Sequence, residues 1–141
     1  MKPKIRSVIS IILCGFWVNM SEFYRNNVLL KTHWVDHYRS LGITFPSEPV
    51  NGLMWMLWGF LYAFSIFLMS RRFNLLQTAI FSWLMAFVLM WIVIWNLSVL
   101  PLTILAYAVP LSLLEAFIGS YICVKIAPAK QEDRTACLSG S

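Results

Sequence analysis

From Leu75 to Leu97 and from Val50 to Ser70 the chain carries no charged residue, and two further stretches, Ser7 to Phe23 and Leu100 to Ile126, come close to that state. A helix rises 1.5 Å per residue, so each run can cross a hydrocarbon core of about 30 Å. Within lipid only helices and closed barrels satisfy every backbone hydrogen bond, and none of the runs alternates apolar and polar residues as a barrel strand must. The expected fold is therefore all-α: an integral membrane four-helix bundle forming one domain over residues 1–127, with a disordered tail over 128–141. Composition agrees, since 60% of residues are hydrophobic and 12% charged, whereas soluble domains are about half apolar and a quarter charged.

Lysine and arginine set the expected orientation. Lys2, Lys4 and Arg6 precede the first run, Arg71 and Arg72 separate the second from the third, and Lys125, Lys130 and Arg134 close the chain. The connection around Asn96 to Pro101 is uncharged, and Arg25, Lys31 and Arg39 in the first connection are offset by Glu22, Asp36 and Glu48. The positive-inside rule then puts both termini in the cytoplasm, in a bacterial inner membrane. The net charge of +5 belongs to these flanks and serves lipid headgroups rather than nucleic acid. The N-terminal run lacks a small-residue cleavage site and reads as an uncleaved span. Cys14, Cys123 and Cys137 have no C-x-x-C spacing, and nothing in the chain calls for a cofactor.

The long connection from Asn26 to Pro49 repeats Leu30, Trp34, Tyr38 and Leu41 on one helical face, which predicts a helix over 28–41 lying in the outer interface. Gly42 is placed to end it and Ser47 to cap the second span. His33 and His37 stand four apart near Asp36, a spacing metal pairs use, yet two histidines do not close a site and no metal is expected.

Glu115 lies near the middle of the fourth run, where a charge costs roughly 2.5–3.5 kcal/mol on insertion scales unless paired or protonated. A 100° step per residue groups Ala108, Leu111, Ser112, Gly119 and Ile126 within about 60° of it. Small residues mark close helix approaches, so Glu115 should face the bundle. Pro110 frees the carbonyl of Ala106 and predicts a kink beside it. Counted by depth, Asn19 of the first run is the expected hydrogen-bond partner. Glu22 and Arg25 lie nearer the outer surface, where they can pair with each other, and Arg25 can reach Glu115 only if the first span tilts or the outer half is hydrated. Tryptophans at interfaces are ordinary. Trp55, Trp58 and Tyr62 on the second run and Trp91 and Trp95 on the third can also wall a cavity for an apolar or cationic ligand.

The stretches Ser21-Glu22-Phe23-Tyr24-Arg25-Asn26, His37-Tyr38-Arg39-Ser40-Leu41-Gly42 and Pro110-Leu111-Ser112-Leu113-Leu114-Glu115 resemble those of small four-span bacterial membrane proteins of unassigned function, a resemblance that implies no activity. In plan the chain is also similar to the small multidrug resistance transporters, which use four helices and one intramembrane glutamate. Theirs lies in the first helix and their loops are short, so no residue role carries over. The sequence points to a small proton-linked transport or permeation protein centred on Glu115. The competing reading is a structural or regulatory subunit that binds partner helices or a second copy. An enzyme ranks third, because only Glu22, His33 and His37 offer acid or base groups at the outer surface.

Overall fold

The computed structural model describes residues 2–129, so most of the tail expected over 128–141 lies outside the described residues. Of those residues 83% are helical and none lies in a strand. Helices α1 (Pro3–Leu29), α3 (Pro49–Ser70), α4 (Leu75–Asn96) and α5 (Leu102–Ile126) are long and apolar enough to cross a membrane. The short α2 (Lys31–Ser40) stands between α1 and α3.

Proline sets several helix starts. Pro3 opens α1 and Pro49 opens α3, both in the first helical turn, where the missing N–H is not needed. Glu48, not Ser47, is the residue at the α3 N-cap, and no side chain caps there. Leu100 and Pro101 stay outside α5, which begins in a 3₁₀ turn at Leu102–Ile104. At α4 the Asn74 side chain accepts from the Gln77 amide while the Gln77 side chain accepts from the Asn74 amide, a reciprocal cap. Gly42, at φ 72°, ends α2 as expected. Ser98 takes a left-handed conformation, φ 59°, directly after α4. The turn it makes lets Val99 N–H reach the carbonyl of Ile94.

Helix α1 packs between α3 and α5, α4 closes the other side against both, and α3 and α5 meet across the centre. Small residues permit this. A methyl at Gly59 would sit 2.6 Å from the Asn19 amide, one at Gly119 would sit 3.2 Å from Cys14 Sγ, and one at Gly15 would enter the Phe60 ring. The core is Cys14, Val18, Tyr62, Ala63, Ile66, Phe87 and Cys123. At one end of the bundle the Arg6 guanidinium donates to Ile126 O (2.8 Å) and that of Arg71 to Ala127 O (3.0 Å). These arginines hold the carbonyls that α5 leaves free at its negative C-terminus. At the opposite end Leu30 and Trp34 pack with Leu100, Ile104 and Ala108, so part of the repeat Leu30, Trp34, Tyr38 and Leu41 covers the bundle end. Two π turns interrupt the regular helices, Arg25–Leu29 at the end of α1 and Leu84–Val88 within α4.

Candidate functional site

Neither α3 nor α4 contains a charged residue. The charge inside the bundle therefore belongs to α1 and α5, and it converges on one point. Arg25 Nη1 donates to Glu115 Oε2 at 3.0 Å, and Arg25 Nη2 is hydrogen-bonded to Glu22 Oε1. All three residues are buried, Glu115 to 1% exposure, Arg25 to 5% and Glu22 to 6%. Side chains on a helix lean toward its N-terminus, so Arg25, near the end of α1, points back into the bundle and meets a carboxylate lying about four turns into α5.

Around this triad polar contacts continue outward. Asn26 Nδ2 donates to Glu22 Oε2 at 2.8 Å, and Trp34 Nε1 donates to Asn26 Oδ1 at 3.1 Å. A hydrogen-bonded chain thus runs from α2 through Asn26, Glu22 and Arg25 to Glu115. The Arg25 guanidinium carbon also lies 5.0 Å above the Phe87 ring, so the two π turns meet at this contact. π turns recur at functional sites because they displace a helix face by a fraction of a turn. Trp17 Nε1 donates to the backbone carbonyl of Glu115 at 3.1 Å, fastening α1 to α5 at the same level.

The formal charges are two carboxylates and one guanidinium, and arginine does not give up its proton. With both glutamates ionised the triad carries one uncompensated negative charge. Glu115 Oε1 is buried without a hydrogen-bond partner. A buried acceptor left unmatched costs about 1–3 kcal/mol, more for a charged group. One proton or one external cation balances the charge, and a cationic N–H donor at Oε1 would also supply the missing hydrogen bond.

Several expectations are corrected. Asn19 does not reach Glu115: its amide donates to Gly15 O (2.8 Å) and Met56 O (3.4 Å), joining α1 to α3. Ser112, placed by spacing on the Glu115 face, is bonded elsewhere: its hydroxyl donates to Val109 O and accepts from Trp83 Nε1 at 2.9 Å. Pro110 lies within α5, as expected, on its exposed side. Glu22 and Arg25 do pair, but inside the protein rather than at an exposed surface.

The aromatic residues divide. Trp58, Tyr62, Phe87 and Trp91 pack edge-on or tilted against one another with centroids 5.2–5.9 Å apart, so the interior they were expected to wall is filled by Phe87, and the cation over that ring is Arg25. Trp55 (49% exposed) and Trp95 (59%) face outward. His33, Asp36 and His37 line an open groove with Leu100 and Thr103, and a His37 ring nitrogen is 3.3 Å from Ser98 O. Among the described residues no group of His, Cys, Asp and Glu can hold a metal ion. Asn26, Trp17 and Phe87 were not singled out in the sequence. Asn26 lies one turn beyond Glu22, a signal available from spacing; Phe87 has no such mark.

A crevice of about 160 Å³ opens between α1 and α5, lined by Trp17, Tyr24, Arg25, Leu111, Leu114 and Glu115 among others. Its rim is accessible from the outside of the bundle, because Tyr24 is 55% exposed and Leu114 53%.

By length and apolarity the four helices mark an integral membrane protein, here with a buried ion cluster at the junction of α1 and α5. No family model matches the chain, and neither curated proteins nor solved structures supplied a match.

Proposed function

We propose that the protein is a small proton-linked transport or permeation protein whose exchangeable charge is the Glu22–Arg25–Glu115 triad. The observation that carries this reading is the charge count: two buried carboxylates share one arginine, and a proton or cation that arrives and leaves can meet the remainder. Intramembrane carboxylates away from lipid mark ion and proton pathways for this reason. The α2–Asn26–Glu22 chain gives the triad a polar route to one end of the bundle.

The gathering of Lys2, Lys4, Arg6, Arg71 and Arg72 at the other end supports cytoplasmic termini, with α2 on the outer side and Trp34 at headgroup depth. An inner bacterial membrane fits that asymmetry. A second reading, a non-transporting subunit, draws on the same Arg25–Glu115 contact, which ties α1 to α5 and can serve fold specificity alone.

Proton flux into proteoliposomes separates the two. The wild-type protein should carry a pH-driven flux that Glu115→Gln abolishes while the variant still folds. Wild-type vesicles with flux no greater than lipid alone would sink the transport reading and leave the subunit in front.

A further inference from the structure

We infer that the crevice between α1 and α5 is a binding site for the amine headgroup of a single-chain amphiphile that enters sideways from the bilayer. This deepens the proposed function and rests on its exchangeable charge at Glu115, but it concerns binding, not flux. The crevice has what an amine requires. Glu115 lines it, is 1% exposed and has Oε1 without a partner. The triad is one positive charge short, because Arg25 is already divided between Glu22 and Glu115. Trp17 and Tyr24 on the wall belong to the aromatic class whose rings attract cations.

Size and depth narrow the class. A space of about 160 Å³ is smaller than the 300–1,000 Å³ of sites that enclose drug-sized ligands, so it suits an ammonium and its first methylenes, with the chain left in lipid beside Leu29 and Leu114. Glu115 lies about 20 Å along α5 from its Leu102 end, too deep for a phospholipid headgroup held at the interface. A neutral amine dissolved in hydrocarbon can reach it. There the free base takes the proton from the Glu115 carboxyl; the ammonium and carboxylate that result keep the site's total charge unchanged.

Photolabelling tests this on the full-length protein in phosphatidylcholine nanodiscs. Three probes of equal length carry a diazirine near the head and end in an amine, an alcohol or a carboxylate. At equal mole fraction in the lipid, the amine should label the α1 and α5 peptides around Tyr24 and Leu114 about tenfold or more above the alcohol, as expected for a hydrogen bond to a charged group. Glu115→Gln should erase that preference. Leu111→Trp, which fills the crevice and leaves the triad in place, should erase the labelling itself, and it decides the matter if Glu115→Gln does not fold. Equal labelling by amine and alcohol would overturn the proposal in favour of an ordinary lipid chain. Preference for the carboxylate would overturn it in favour of an anion held by Arg25. Flux without amine-selective labelling removes this site and leaves transport; amine-selective labelling without flux does the reverse.

Discussion

Arg25 is the residue on which the interior depends, because removing it and removing Glu115 are unequal operations. Arg25→Gln leaves two buried carboxylates facing each other with no cation, and deleting one partner of a buried pair costs about 3–5 kcal/mol. Glu115→Gln leaves the Glu22–Arg25 pair intact and electrically balanced, so its loss should be clearly smaller. Unfolding of both variants in one detergent checks the order. Because carboxylates take up protons as pH falls, the deficit of Arg25→Gln should shrink toward acid, and equal losses at every pH would contradict the shared-arginine geometry. Glu115 was legible as the unusual residue, since its burial follows from hydropathy and its facing from a 100° step. Its partner was not. Depth counting compares Cα levels and so favoured Asn19, whereas an arginine side chain spans more than a helical turn and leans toward its own N-terminus.

Among the elements, α1 and α3 meet closely where Asn19 lies across Gly59. Asn19 contributes there by donating to Gly15 O and Met56 O, a role that Glu115 drew attention away from. A side chain at Gly59 would collide with it, the first carbon lying 2.6 Å from the amide nitrogen, while Gly52 on the same helix has nothing within 4 Å. Gly59→Leu should therefore destabilise the protein by about 1–3 kcal/mol and Gly52→Leu should be nearly neutral, as read by thermal unfolding in detergent. The four long helices were legible because an apolar run of this length leaves few alternatives. Their ends moved by a few residues where Pro3, Pro49 and Pro101 fix the first turn, and where Glu22 and Arg25 neutralise each other and let α1 continue. The π turns were not legible, since an extra residue in a helical turn alters neither composition nor hydrophobic period appreciably.

For the whole molecule, basic residues at one end and the α2 cap at the other define an axis, and the proposed orientation places α2 outside the cell. A membrane-impermeant thiol reagent applied to intact cells should label Thr44→Cys and miss native Cys137; labelling of Cys137 alone would reverse the axis. The account as a whole rests on the triad holding one more negative charge than positive. Infrared difference spectroscopy of the protein in nanodiscs, recorded as pH is changed, tests that most directly. The wild type should show the carbonyl band of one protonated carboxyl that disappears as pH is raised. Both Glu22→Gln and Glu115→Gln should lack the band, because in each the remaining carboxylate is balanced by Arg25. A wild-type spectrum without a pH-dependent carboxyl band, or a band that persists in both variants, would contradict the account.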